Sequence, residues 1–391
     1  IWKKSRKELK DEDYNNFYTQ KFFDYQPPLC HIHTSVEGAV TYTAMLFIPS
    51  HAPMDYYTKD YEKGLQLYSN GVLIMEDCDK LLHDYFEFAR GVVDSPDLSL
   101  NISREILQHN RQLKVIGQNL EKKIKAELEK MMRDDRPKYE TFWKNFGIHI
   151  KCGVCDEYGR YTDFLKDLLI FYTSEESMHS LKEYVDAMPE SQKAIYYASA
   201  DTVKHAMALP QCEEVRSRGY EILYLDHPID ETVLQQLRMY EGKGFVNVLT
   251  EDLGFQTDEE KKAAEEKVVE NKEVLDFIRE SIGDEKLKQV TLSSKLVSSA
   301  CCLTSTGGFT LEMEKYFRNG PSEEMRKLRA DRVLELNAKH PACLAIKKAY
   351  DDGDKDRAAK LSKILYAQSE LIAGVEIEDP TAYADLVCSL F

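Results

Sequence analysis

The chain has 391 residues, of which 43% are hydrophobic, so it is long enough for two or three domains with cores of their own. Its formal net charge of −16 disfavours non-specific binding to nucleic acids, because a phosphate polymer would be repelled. No apolar stretch reaches the roughly 18 residues of a membrane span and the start has no apolar signal-peptide region, so we expect a cytoplasmic protein.

The first 136 residues predict a sheet with helices against it. Residues 34–48 alternate in polarity as strands do, and two short apolar runs flank residues 69–71, which predict either a turn or a bulge. Apolar residues recur at helical spacing over residues 80–90 and again over residues 104–132. This part is therefore typical of an α/β structure.

Two groups of residues have the composition of metal ligands. Cys152 and Cys155 have zinc or redox spacing, but a four-coordinate zinc site needs a second pair and none lies nearby in sequence. Nine cysteines without regular spacing indicate reduced thiols, so we interpret this pair as thiols in a loop. His31 and His33 could chelate a metal with Cys30, although alternation along a strand explains them equally well. The sequence therefore predicts no metal site.

The middle of the chain changes from helices to an alternation of strands and helices. Residues 137–190 predict a connector of short helices. Over residues 191–255 strands alternate with helices, one of them spanning residues 201–218, which predicts a small parallel α/β unit. The charged stretch over residues 257–272 predicts a solvated helix that crosses a domain junction near residue 255.

A helix predicted over residues 310–318 has one apolar face. That face carries Phe309, Met313, Tyr316 and Phe317. Core packing is the usual meaning of such a face. The flanking glycines favour a flexibly tethered helix instead, whose Met and aromatic side chains suit the capture of unfolded chains.

The two terminal segments, residues 355–374 and 380–391, carry apolar stripes at helical spacing. The candidate dimerisation residues are Leu361, Ile364, Leu365, Leu371, Leu386 and Leu390. Two such helices cannot enclose a core alone. They either pack on their own domain or pair with a second copy as a four-helix bundle.

A turn-rich loop delivers Arg104 to the start of a long predicted helix. Ser103 is the predicted N-cap, so Arg104 lies in the first turn, where a cation meets the positive end of the helix dipole. An acidic side chain is the ordinary partner for such an arginine, and a phosphate is the functional alternative. The chain contains no phosphate-binding glycine motif, nucleophile elbow or zinc-protease helix, so it predicts no nucleotide or hydrolase site of its own.

A collinear series of short motifs resembles the bacterial branch of the ninety-kilodalton heat-shock chaperone family. In chain order the motifs are SVEG at 35–38, LFIP at 46–49, IMEDC at 74–78, LNISREILQ at 100–108, QKAIYY at 192–197, PIDE at 228–231 and HP at 340–341. The series covers nearly the whole chain, so the resemblance extends to the order of the domains.

The resemblance implies an α/β/α middle domain followed by an α+β C-terminal dimerisation domain. The middle domain would comprise a large sandwich over residues 1–136, a helical connector over residues 137–190 and a small α/β part over residues 191–255. Residues 256–391 would form the C-terminal domain. The family's N-terminal ATP-binding domain is absent, so the chain would be a fragment without a cofactor, whereas the full-length protein would use ATP and Mg.

The resemblance also implies roles for individual residues. Arg104 would approach the γ-phosphate and Gln108 would help to hold the catalytic loop. Unfolded or partly folded client proteins would bind near Trp143 and the apolar face around Phe317, between the two protomers of a homodimer. We expect neither nucleic acid nor membrane as a partner. The alternative function is a stand-alone dimeric scaffold that is not coupled to ATP.

Overall fold

The computed structural model describes the chain except for residues 54, 55, 57, 59, 60, 62, 99–110, 284, 286, 308, 319–321 and 391, and the side chain of Tyr316. The described residues form two compact units, residues 1–170 and residues 171–391. Helices and mixed sheets occur in both units, so the predicted α/β class is confirmed.

The first unit is built on a five-stranded sheet with the order β1-β2-β5-β3-β4. Its strands are β1 Cys30–Val36, β2 Tyr42–Ile48, β3 Leu65–Ser69, β4 Val72–Cys78 and β5 Arg90–Asp94. Its helices are α1 Asp11–Phe22, α2 Arg111–Asp134, α3 Arg136–Cys155 and α4 Thr162–Leu165. All neighbouring strands are antiparallel except β3 and β5, which are parallel.

Strand β2 is apolar at nearly every position because both of its faces are buried. Met45 and Phe47 pack with Tyr14 and Tyr18 of α1, and Leu46, which points to the opposite face, is also fully buried. A strand covered on both sides loses the strict alternation of a half-exposed strand. The sequence therefore predicted where this strand lies, but not that both of its faces are buried.

The predicted turn between β3 and β4 is confirmed. Asn70 and Gly71 both have a positive φ, 52° and 83°, and Ser69 pairs with Val72 across the turn. A two-residue hairpin with an Asn-Gly pair fits the twist of the two strands that it joins.

The helix predicted over residues 80–90 is wrong. The segment contains a short 3-10 helix, Asp84–Phe86, and then becomes β5. Glu121 of α2 holds it by accepting hydrogen bonds from the His83 backbone N–H at 2.8 Å and from the Tyr85 hydroxyl at 3.1 Å. Short buried apolar runs have no distinctive period, so the apparent helical spacing here reflected only burial.

The connector begins with one long helix, α3, where several short ones were expected. Asp135 caps α3 by accepting a hydrogen bond from the Lys138 backbone N–H at 3.3 Å, and Pro137 occupies the first turn. Cys152 and Cys155 lie within the last turn of this helix. The prediction of a loop at these two cysteines is therefore wrong.

The second unit contains a six-stranded sheet, β10-β11-β8-β9-β6-β7, and a three-stranded sheet, β12-β14-β13. The strands are β6 Ile170–Tyr172, β7 Met178–Ser180, β8 Ile195–Ser199, β9 Ile222–Leu225, β10 Met239–Tyr240, β11 Lys243–Asn247, β12 Leu287–Leu292, β13 Cys301–Thr306 and β14 Asp331–Leu336. The helices are α5 Leu181–Ala187, α6 Val203–Ala208, α7 Glu213–Ser217, α8 Ile229–Leu237, α9 Asp258–Glu270, α10 Lys272–Ile282, α11 Leu311–Arg318, α12 Glu323–Arg326, α13 Pro341–Asp351, α14 Lys355–Ile372 and α15 Pro380–Cys388.

The small parallel unit is confirmed, because β8 pairs in parallel with both β9 and β11. The single helix predicted over residues 201–218 is wrong. Two short helices, α6 and α7, lie there with a 3-10 turn at Pro210–Cys212 between them. Pro210 has no N–H to donate, so it ends one helix and opens the next turn.

Two separate hydrophobic clusters lie in the second unit, one within residues 196–253 and the other within residues 274–375. The domain junction near residue 255 falls between these clusters and stays a prediction. The charged helix predicted after it is α9, none of whose residues is buried. No helix in the described part of the chain is long and apolar enough to cross a membrane.

Candidate functional site

The two candidate catalytic residues, Arg104 and Gln108, lie outside the described residues. The structure resumes at Arg111, where α2 begins, and β5 ends before them at Asp94. The Asp94 carboxylate accepts hydrogen bonds from the Trp2 indole N–H and from the Gly71 backbone N–H, both at 3.1 Å. The assignment of Arg104 and Gln108 therefore stays a prediction.

The apolar side of α11 is only partly covered. Phe309, Met313 and Phe317 are each half-buried, and the rings of Phe309 and Phe317 stack with centroids 6.0 Å apart. Phe309 also packs against the cluster within residues 274–375. The side chain of Tyr316 lies outside the described part of the structure. The described side chains of this candidate client-binding face thus remain partly accessible to solvent in the single chain.

The other side of α11 is held by a buried carboxylate. Glu314 is 1% exposed, and its Oε2 accepts a hydrogen bond from the Ala330 backbone N–H at 2.7 Å. Its Oε1 accepts one from Arg332 Nη2 at 3.1 Å. Glu314 does not belong to the predicted apolar face of this helix, and a charged helical residue of that kind usually faces solvent. In the structure the Glu314 side chain points into the domain, where Arg332 pairs with its carboxylate.

Arg332 joins α11 to the long helix α14. It lies in β14, the central strand of the three-stranded sheet, and its Nη1 donates to Glu370 at 2.7 Å and to the Tyr366 hydroxyl at 3.0 Å. Burial disfavours the charge of Arg332, but Tyr366, Glu314 and Glu370 outweigh that effect and raise its pKa. An arginine side chain keeps its proton in proteins in any case, so this buried guanidinium is a charged donor.

Sequence reasoning missed this group of three residues, although one signal for Arg332 was present. Arg332, Leu334 and Leu336 alternate along β14, and both leucines are buried, so period two places Arg332 on the buried face. Glu314 and Glu370 gave no such signal, because charged residues on helices usually face solvent.

Glu312 in the first turn of α11 forms a further ion pair with Lys315 in the last turn of the same helix. Lys315 Nζ lies 2.7 Å from Glu312 Oε1 and 3.9 Å from Asp201 Oδ2, a residue of the small α/β part. Burial raises the pKa of Glu312, while Lys315 opposes the shift. The charged residues Glu314 and Lys315 of α11 thus both contact residues outside the helix.

Trp143 is 7% exposed and packs on its own helix, α3. Tyr139 stacks at a centroid distance of 6.4 Å, and Lys151 Nζ lies 5.6 Å from the indole centroid. A Cβ at Gly147 would come within 2.7 Å of the ring, so the glycine is needed for this close packing. The client-binding role of Trp143 stays a prediction, and only 7% of this residue is accessible to a client in the structure.

The candidate dimerisation residues fall into two groups. Ile364 and Leu365 are buried within the domain, and Leu361 packs partly against the same core. Leu371 is 53% exposed and Leu390 is 42% exposed. Leu386 is half-buried, on α15, which has no buried residue. Leu361, Ile364 and Leu365 therefore pack within their own domain. Leu371 and Leu390 are exposed to solvent in the single chain.

The cysteine and histidine groups make no metal cluster in the described ranges, where no set of three or more ligating side chains converges. His33 hydrogen-bonds to the Tyr14 hydroxyl at 2.9 Å and to the Trp2 carbonyl at 3.0 Å, and the His31 ring stacks on Tyr14. Both histidines serve the packing of α1 on β1.

All nine cysteines are described and each carries a free thiol. At the end of α3, burial raises the pKa of Cys152, and the nearby Asp156 and Glu87 add to the shift. Burial and the neighbouring Cys152 also raise the pKa of Cys155. A raised pKa lowers the thiolate fraction, so neither thiol is activated as a nucleophile.

Comparison with known proteins identifies the class to which this fold and these helices belong. The Hsp90 protein family matches residues 1–391, and the chain belongs to this family. The resemblance inferred from the motifs is thereby confirmed.

Three relatives are named chaperone protein HtpG. The chain is 46% identical over 391 residues to that of Bacillus subtilis, 47% identical to that of Clostridium perfringens and 46% identical to that of Halalkalibacterium halodurans. Each alignment covers 100% of this chain and 62% of the relative, so the chain spans 62% of the length of the curated relatives it matches.

Proposed function

We propose that this chain is the client-binding and dimerising part of an Hsp90 chaperone. In this proposal α11 binds unfolded or partly folded proteins through Phe309, Met313, Tyr316 and Phe317. The helices α14 and α15 form a homodimer. In a protein of the relatives' full length, Arg104 and Gln108 complete the ATPase site of an ATP-binding and Mg-binding N-terminal domain. Membership in the family supports all three roles.

The observation that carries the client-binding role is the partial burial of the apolar side of α11. A core helix would turn Met313 and Phe317 fully inward, because each buried large apolar side chain contributes roughly 1.5 to 3 kcal/mol. In this chain both remain half-buried, while the carboxylate of Glu314 takes the inner position. Methionine and aromatic side chains adapt to many partner surfaces, which suits binding to chains without a fixed structure.

The experiment is to replace Phe317 by Ala and to measure the binding of a permanently unfolded protein. Fluorescein-labelled, reduced and carboxymethylated α-lactalbumin serves as the probe, with fluorescence anisotropy as the readout. We expect affinity to fall at least about fivefold, since an anchoring aromatic at an interface commonly contributes at least about 1 kcal/mol. The melting temperature should change little, and Met313→Ala and Tyr316→Ala should act in the same direction.

Phe277→Ala is the matched control. Phe277 is also a half-buried phenylalanine of the same domain, and it packs on Tyr350 at a centroid distance of 5.1 Å. It lies on α10, outside the proposed binding face. If Phe317→Ala lowers the melting temperature as Phe277→Ala does and leaves the affinity unaltered, Phe317 is a core residue and the proposal for α11 fails.

A further inference from the structure

The guanidinium of Arg332 lies between two carboxylates that belong to different helices. One is Glu314 of α11 and the other is Glu370 of α14, and the side chains of the three residues are 7%, 1% and 10% exposed, respectively. Arg332 itself sits in the central strand of its sheet, where neighbours on both sides fix the backbone. The two helices are therefore attached to the same strand through the two terminal nitrogens, Nη2 and Nη1, of one guanidinium.

Such a bridge resists separate movement of either helix. When one partner leaves a buried ion pair, it strands a charge in a poorly solvated place, and this penalty exceeds the net contribution of the intact pair. A planar guanidinium also demands a definite direction of approach from each carboxylate. A shift of α14 that moves Glu370 must then reorient Arg332, and with it the hydrogen bond to Glu314.

Two further arginines reinforce the α11 end of the bridge. Arg318 Nη2 lies 3.5 Å and Arg329 Nε lies 3.8 Å from Glu314 Oε1. Arg318 also contacts Glu376, beyond the end of α14, at 2.8 Å. These arginines are more exposed than Arg332, so water screens their contribution. The link from Glu314 through Arg332 to Glu370 is more deeply buried than the contacts of Arg318 and Arg329.

We infer that Arg332, Glu314 and Glu370 are positioning residues that couple the client-binding helix α11 to the dimerisation helix α14. The inference rests on the proposed function for the use of each helix, and it adds a link between them. Because coupling between two sites is reciprocal, client binding at α11 and association through α14 and α15 must strengthen each other by the same factor.

Glu370→Gln in the full chain tests the coupling, because Glu370 lies on α14 and accepts a hydrogen bond from Arg332 at 2.7 Å. We expect faster hydrogen exchange at the backbone amides of α11. We also expect at least about fivefold weaker binding of the labelled α-lactalbumin, the lower end of ordinary coupling between sites. Reciprocally, Glu314→Gln on α11 should raise the dimer dissociation constant by a similar factor in sedimentation.

Two controls separate positioning from loss of stability. Asp356→Asn removes an exposed carboxylate of the same helix, which pairs only with Lys360 among the described contacts, and it should leave all three readouts unchanged. Phe277→Ala destabilises the same domain away from the bridge and should not raise exchange selectively in α11. If Glu370→Gln fails to fold, Arg332→Lys keeps the charge but loses one of the two directed contacts and should weaken both functions partially.

The outcomes for the link and for the proposed function differ. If Glu370→Gln leaves exchange in α11 and client affinity within twofold of the original while Phe317→Ala weakens client binding, the coupling is overturned and the proposed function stands. If neither variant alters client affinity, client binding at α11 fails. The exchange of the α11 amides in Glu370→Gln then decides by itself whether the bridge positions the helix.

Discussion

Glu213 of the small α/β part contacts the C-terminal part of the chain. Among the described residues, no other carboxylate accepts as many hydrogen bonds between these two parts. It accepts hydrogen bonds from the backbone N–H groups of Val297, Ser298 and Ser299 and from the hydroxyls of both serines, at 2.6 to 3.2 Å. Burial disfavours its charge, but the bonds from Ser299, Ser298 and Val297 outweigh this and lower the pKa of Glu213 to about 2. One side chain thus fixes a loop 84 residues away.

We therefore expect Glu213→Gln to destabilise the second unit by roughly 1 to 3 kcal/mol at neutral pH, since hydrogen bonds to a charged group are lost. The native pKa lies below the ordinary value of 4.5. The stabilisation is consequently complete above about pH 4.5 and is lost as the pH falls towards 2. Urea unfolding between pH 7 and pH 3 should show this dependence in the original chain and a weaker one in the variant.

The neighbouring Glu214→Gln is the control for Glu213. Glu214 forms an ordinary pair with Arg218 on the same helical stretch, and its replacement should cost less than 1 kcal/mol. An equal loss of stability in the two variants, or an unchanged pH dependence in Glu213→Gln, would contradict the role assigned to Glu213.

At the scale of elements, α15 has apolar residues but no buried ones. An amphipathic helix that covers no core of its own gains little by folding alone, so its stability must come from a partner surface. In the single chain, Leu390 and Leu371 at the end of α14 are the exposed leucines that such a partner would cover. The remaining exposed area of each leucine would contribute about 1 kcal/mol on burial by a second copy.

We expect deletion of residues 380–391 to convert a dimer into monomers while the melting temperature of the first unit stays the same. Analytical ultracentrifugation over a range of concentrations measures the change. Leu344→Ser is the control, because Leu344 on α13 is 51% exposed and lies outside the proposed interface, so this variant should remain dimeric. A dimer that persists after the deletion would place the contact elsewhere.

At the scale of the whole molecule, the proposed ATPase role depends on the N-terminal ATP-binding domain that we propose for a protein of the relatives' full length. We expect the chain alone to hydrolyse ATP no faster than background. In a protein of full length, Arg104→Ala should reduce turnover roughly a hundredfold or more, because a cation that stabilises the transferring phosphate is lost. Binding of ATP, measured by calorimetry, should persist.

Arg111→Ala replaces another arginine, seven positions further along the chain, and is the matched control for Arg104, so this variant should retain turnover. Normal hydrolysis by Arg104→Ala would remove Arg104 from the ATPase site. A loss of ATP binding in the same variant would assign it to ground-state binding of the nucleotide instead.

Local sequence determined those parts of the structure whose cause is local. The Asn70-Gly71 turn follows from the residues that tolerate a positive φ, and the solvated helix α9 follows from its charge and from Thr257, whose hydroxyl accepts a hydrogen bond from the Glu260 backbone N–H at 3.2 Å. The parallel strands β8, β9 and β11 follow from apolar runs separated by helices. The family itself could be inferred from the order of short motifs along the chain.

Only the tertiary structure decided which surface faces which. Residues 80–89 form turns and a short 3-10 helix that lead into β5, because Glu121, 38 residues beyond His83, holds His83. Glu314 turned inward because Arg332 lies beneath it, and Glu370, 38 residues beyond Arg332, completes the bridge. Periodicity reports which side chains avoid water, but the free energy of a buried charge depends on partners far away in the chain, and those partners meet only when the fold is complete.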